Sequence, residues 1–104
     1  MKSNPSVPGP VAVVDVPGDI LSTTVQSLRP SWTERMASLP AGADAVLELR
    51  LEQTRMIDSA GLNLLVFAIR TMRDRGGRLR LVGVNENVRR TLIFTRLHQQ
   101  VELL

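Results

Sequence analysis

Residues 56–62 read Met56-Ile57-Asp58-Ser59-Ala60-Gly61-Leu62. Two apolar residues lead into an acid, a hydroxyl and two small residues, and a leucine then opens a regular pattern. Leu62, Leu65, Val66, Ile69 and Met72 recur as the apolar stripe of a helix. Asp58 suits the N-cap, where a carboxylate accepts from the free amides of the first turn. The pattern predicts a helix over Ser59–Arg75. Arg70, Arg73 and Arg75 fall in its last turns, where the dipole favours cations, and Gly76-Gly77 offers a left-handed exit.

Strand patterns lie on either side of this helix. Ala45 to Leu51 alternates Leu47, Leu49 and Leu51 against Val46, Glu48 and Arg50. Gly77 to Val84 repeats the pattern, with Leu79 and Leu81 opposite Arg80 and Val82. Each strand is expected to bury one face and leave the other at least partly wet. Further upstream, Val11 to Val16 is a β-rich run stopped by Pro17-Gly18. Val25, Leu28, Trp32, Met36 and Leu39 mark a helix that Ser22, Thr23 or Thr24 could cap, and that kinks or begins at Pro30. Downstream, a helix over about Glu86–Phe94 has Asn85 as cap and Val88 and Leu92 inward. Val101, Leu103 and Leu104 suggest a short last strand. The order β-α-β-α-β-α-β predicts an α/β domain of parallel strands joined by helical crossovers. Residues 1–10, with three prolines and a glycine, read as a flexible lead to a domain over 11–104.

Composition narrows the function classes. At 104 residues the chain is one domain's worth. It has no cysteine, which removes disulfides and thiolate chemistry, and its one histidine, His98, excludes a multi-histidine metal site. No metal and no cofactor is expected. The longest apolar stretch, Leu62 to Ile69, has eight residues, far short of the ~20 that cross a bilayer. Lys2 is followed by Ser3-Asn4-Pro5, unlike a signal peptide, so the expected location is the cytoplasm, away from membranes.

Catalytic motifs are missing as well. His98 has no evident Ser or Asp partner, and Glu48 and Glu52 fall in or after a strand. There is no phosphate-cradling glycine loop. No catalytic residue is expected, and the chain does not read as an enzyme.

Net charge is +3, unevenly spread: residues 1–69 carry −2 and residues 70–96 carry +6. Twelve of the thirteen basic residues are arginine, which suits pairing with carboxylates or phosphates. A solvated surface is the plain explanation, and a patch for an acidic partner is the sharper one. A nucleic-acid surface built from Arg70, Arg73, Arg78, Arg80, Arg89 and Arg90 is weaker. Trp32, Phe67 and Phe94 are the only aromatics and do not interleave with these arginines.

The chemistry that remains is one hydroxyl. At the first helical position Ser59 would face solvent, and a phosphate there would meet free amides and the positive end of the dipole. It would add a charge of about −1.5 to −2 beside Asp58. A partner docked on the uncharged serine would have to desolvate a dianion, and a loss of ~3–4 kcal/mol weakens binding ~150- to 800-fold. Spacing alone favours the plainer reading, in which Asp58-Ser59 is only a cap and Gly61 only a packing accommodation.

Ile57-Asp58-Ser59-Ala60-Gly61-Leu62 resembles the signature of the STAS family, specifically its bacterial anti-sigma factor antagonists. The likeness runs on through Gly76-Gly77, the strand Leu79–Val84 and Val88-Arg89-Arg90-Thr91-Leu92, and covers roughly residues 11–104. Upstream, Pro17-Gly18-Asp19-Ile20 resembles the family's Gly-Glu-Leu-Asp corner. The resemblance implies a mixed sheet of four to five strands packed with three to four helices. It also implies partner switching. The unphosphorylated antagonist binds an anti-sigma factor that is also a Ser/Thr kinase, and frees the sigma factor. The kinase then phosphorylates Ser59 and the complex falls apart; a PP2C-type phosphatase resets it. Asp19, Asp58, Ser59, Ala60, Gly61, Leu62 and Asn63 are the contact residues so implied. The chain departs from the family at Leu21, where an acid closes the corner, and at Arg96, where glycine is usual. Its first family strand is reduced to the proline-rich lead, and its pI of 11.0 is unlike the acidic members. The rival within the family is a non-switching scaffold or an accessory subunit of a transporter complex.

Overall fold

The computed structural model describes residues 9–42 and 44–104. Four strands, β1 (Val11–Asp15), β2 (Val46–Arg50), β3 (Arg78–Val82) and β4 (Glu102–Leu103), alternate with three helices, α1 (Val25–Ala37), α2 (Ser59–Asp74) and α3 (Glu86–Phe94). A 3-10 turn over Leu97–Gln100 leads into β4. The strands lie in the order β1-β2-β3-β4, and every pairing among the described residues is parallel. The expected α/β fold is present. The antiparallel member that a mixed sheet needs is not found among the described residues, because each crossover through a helix returns the chain in the same direction. The flexible-lead expectation falls mostly on residues 1–8, outside the described residues. Pro10 is tied in, its carbonyl accepting from the Val46 amide at 2.8 Å.

One sheet face carries the core. Ala12, Val14, Leu47, Leu49, Leu79 and Leu81 point to one side and pack with Trp32 and Met36 of α1, Leu64, Leu65, Ala68, Ile69 and Met72 of α2, and Val88 and Leu92 of α3. The period-2 pattern of the strands meets the period-3.6 stripes of the helices there, which is why the alternation was legible. At the end of α2, Gly76 has φ +81°, the left-handed exit its position predicts.

The opposite face is drier than its alternation suggests. Register aligns Glu48 with Arg80, and Arg80 with Glu102, in one row across three strands. Glu48 bonds Arg50 and Arg80, each at 3.1 Å, and Arg80 bonds Glu102 at 2.6 Å; Arg78 stands 3.6 Å from Glu102. This ladder covers the face, so Val46 is 2% exposed and Glu48 only 9%. Burial of β2 on both sides is what a central parallel strand requires. The arginines on either side, Arg50 first and Arg80 second, hold the Glu48 carboxyl below the usual carboxylate range.

α1 begins at Val25, five residues before Pro30, so the proline sits inside the helix and does not start it. None of Ser22, Thr23 and Thr24 caps it by a side chain. The Thr24 hydroxyl accepts from the Leu21 amide at 2.9 Å and lies 2.9 Å from the Asp19 carbonyl oxygen, so it closes the preceding turn.

Candidate functional site

The strands' C-terminal ends carry two loops, 16–24 and 51–58, and these are stitched together. Ile20 and Ile57 form a parallel bridge, the Ile20 amide donating to the Met56 carbonyl at 3.1 Å. The Asp19 carboxylate accepts from the Arg55 and Met56 amides at 2.8 and 3.1 Å. Buried Thr54 donates its hydroxyl to the Gly18 carbonyl at 2.7 Å. From α3, the Asn85 and Asn87 side-chain amides reach the Thr54 and Arg55 carbonyls at 3.1 and 2.9 Å. These bonds satisfy the loop backbone and fix the direction in which α2 leaves it.

Asp58 completes the junction. One carboxylate oxygen accepts from the Gly61 amide at 2.9 Å, the N-cap bond that its position predicts. The other accepts from the Ser22 amide, also at 2.9 Å. The Ser22 amide first, and the Gly61 amide second, hold the Asp58 carboxyl below its usual range. With both oxygens bonded, the Asp58 carboxylate fixes the turn that leads into α2.

Ser59 is the first residue of α2 and is exposed, and its hydroxyl has no hydrogen-bond partner among the described residues. Asn63, one turn on, is exposed, and Ala60 and Leu62 are half-buried beside it. Gly61 lies underneath. A Cβ there would collide with the Ile20 carbonyl oxygen and come within 2.8 Å of Ile57 Cγ2, so the bare backbone is what lets α2 seat on the Ile20–Ile57 bridge. Asp19, half-buried, spends a carboxylate oxygen on the neighbouring loop. Of the seven expected contact residues, Ser59, Asn63, Ala60 and Leu62 therefore form the surface, while Asp19, Asp58 and Gly61 hold it in shape.

Ser22, a cap candidate in the sequence, ties to Asp58 through its backbone amide, which no side-chain pattern announces. Two further residues meet farther along α2. Arg29 of α1 lies over the Phe67 ring of α2, 4.0 Å from its centroid. The six arginines of the nucleic-acid reading are dispersed: Arg70 and Arg73 on α2, Arg78 and Arg80 in the ion ladder, Arg89 and Arg90 on α3. Arg73 also bonds Gln100 at 2.8 Å. Among the described residues no cluster of three His, Asp or Glu could share a metal ion, and no helix is long and apolar enough to cross a membrane.

A parallel α/β domain that presents a capped serine at the mouth of its central helix is the architecture on the page. The STAS domain family model matches residues 2–103, and the chain belongs to that family. Its fold is similar to that of an anti-sigma-factor antagonist (STAS) domain protein from Planctomyces limnophilus, at 18% identity and TM-score 0.79, over 89% of this chain and 80% of that one. It is similar also to the anti-sigma factor antagonist SpoIIAA in its unphosphorylated form, at 16% identity and TM-score 0.68, over 94% and 82%. A SulP transporter STAS domain from Vibrio cholerae matches at 22% identity and TM-score 0.68, over 94% and 76%. Among curated proteins none matches this chain.

Proposed function

We propose that this chain is an anti-sigma factor antagonist gated by phosphorylation of Ser59. In this reading it is a ligand and a substrate, not an enzyme. The unphosphorylated chain binds an anti-sigma factor that is a Ser/Thr kinase and displaces the sigma factor from it. The kinase transfers the γ-phosphoryl group of ATP to the Ser59 hydroxyl oxygen; ADP leaves, and the hydroxyl proton passes to a base of the kinase, since Asp58 is committed to two amides. A PP2C-type phosphatase restores the hydroxyl. The reading places the protein in the cytoplasm with its partners.

The observation that carries this reading is the exposed Ser59 hydroxyl on a turn whose neighbouring carboxylates are already bonded. Both carboxylates stay ionised there but are turned to backbone amides, and the hydroxyl itself is the uncharged point at which phosphate adds a new anion. A dianion then appears where a partner must exclude water, and the helix N-terminus tolerates it without unfolding.

Two variants test the gate from opposite sides, measured by titration against the cognate kinase. Ser59→Ala retains the partner and takes no phosphate; Ser59→Asp loses it by about two orders of magnitude. Mass spectrometry after incubation with kinase and ATP finds one phosphate, on Ser59. Equal affinity of the two variants, or phosphate on another residue, overturns the reading.

A further inference from the structure

The outward stripe of α2 does not stop at the serine. Helical geometry aligns Ser59, Asn63, Val66 and Arg70 along one line, opposite the buried Leu64, Leu65, Ala68 and Met72. The middle of this stripe is apolar for a solvent-facing surface: Leu62, Val66 and Phe67 are only partly buried. Its far end is cationic. Arg70 is exposed there, and exposed Arg29 crosses from α1 to lie 4.0 Å from the Phe67 centroid.

Neither arginine has a carboxylate partner. All ten acidic residues of the chain lie in the described part, and the ion pairs use only Arg50, Arg78 and Arg80. Stacking on the ring limits Arg29 to few rotamers, so its donors are presented, not merely solvated. The stripe is thus polarised, with a neutral hydroxyl at one end and, at the other, Arg70 eleven residues and about 16 Å along the helix, with Arg29 over Phe67 one turn before it.

We infer that the partner docks lengthwise along α2, with a carboxylate-bearing segment over Arg29 and Arg70 and an uncharged apolar segment over Leu62, Val66 and Ser59. This orientation rests on the proposed partner-switching function and adds the partner's chemistry: an anti-sigma kinase whose docking surface is acidic at one end.

Charge reversal tests the orientation. Arg29→Glu and Arg70→Glu each weaken binding to the cognate kinase roughly tenfold at low salt, mainly through slower association, and the gap narrows at high salt. Arg89→Glu on α3 makes the same change in net charge elsewhere and leaves affinity at the wild-type value. Thermal melts confirm that all three variants fold. Wild-type affinity for both Arg29→Glu and Arg70→Glu overturns the orientation. So does an equal loss from Arg89→Glu, which makes the effect one of net charge alone. Undiminished binding of Ser59→Asp sinks the phosphorylation gate instead and leaves the arginine comparison readable.

Discussion

The Asp58 carboxylate accepts from the Ser22 backbone amide at 2.9 Å, across 36 residues of sequence. The same group caps α2 through Gly61 at 2.9 Å. One side chain therefore both starts the helix that carries Ser59 and locks the loop entering α1 beside it. A rigid serine turn follows from this double use, because neither loop can shift without losing a bond to an ionised acceptor.

Asp58→Ala lowers the melting temperature by several degrees and raises hydrogen exchange at the Ser22 and Gly61 amides, as the cap and the tie are lost together. Unchanged exchange at Ser22 would show that the tie does not form in solution.

The pH dependence has a definite sign. The folded Asp58 and Glu48 carboxyls are both held below their ordinary values. A lowered folded value means that the charged forms stabilise the fold fully above the unfolded values, near pH 4, and that this stability is lost as pH falls through the folded values. Stability is therefore flat near neutrality and declines in acid. Asp58→Asn has a shallower decline below about pH 4 than the wild type; parallel curves would remove Asp58 as a contributor.

Gly61→Ala drives a methyl group into the Ile20 carbonyl and costs roughly 1–3 kcal/mol, a loss visible in urea unfolding. Gly18→Ala, where nothing lies within 4 Å of the added carbon, stays within about 0.5 kcal/mol of the wild type. Equal costs at the two positions would contradict the close approach of α2 to Ile20.

Glu48→Gln removes the central anion of the ladder and leaves Arg50 and Arg80 facing each other across a nearly dry sheet face. Both arginines keep some contact with water, at 47% and 22% side-chain exposure, so the cost is about 1–2 kcal/mol and not that of a fully buried broken pair. A neutral result in denaturant unfolding would reduce the ladder to surface decoration.

Ser59→Asp leaves the fold intact. An acid at the first helical position lies at the positive end of the dipole, so the melting temperature stays at or slightly above the wild-type value. Loss of partner binding by this variant then reports on docking; a large drop in melting temperature would confound it.

What the sequence by itself determined is whatever is encoded within one turn of chain. The caps at Asp58 and Asn85 reach only three residues ahead, to Gly61 and Val88, and α3 accordingly spans the predicted Glu86–Phe94. The Gly76 exit, the inward leucines of β2 and β3, and the strand–helix order are equally local. The serine turn was legible for the same reason, and its likeness to a known family supplied the chemistry proposed for it. Only the tertiary structure decided what meets across the fold. That Gly61 sits beneath Ile20, that Asp19 serves the loop at Arg55, that Glu48 is dry on a face patterned as wet, and that Arg29 lies on Phe67 all depend on segments far apart in sequence being brought together. Side-chain periodicity states which way a residue points; the parallel register and the crossover helices decide what it finds there.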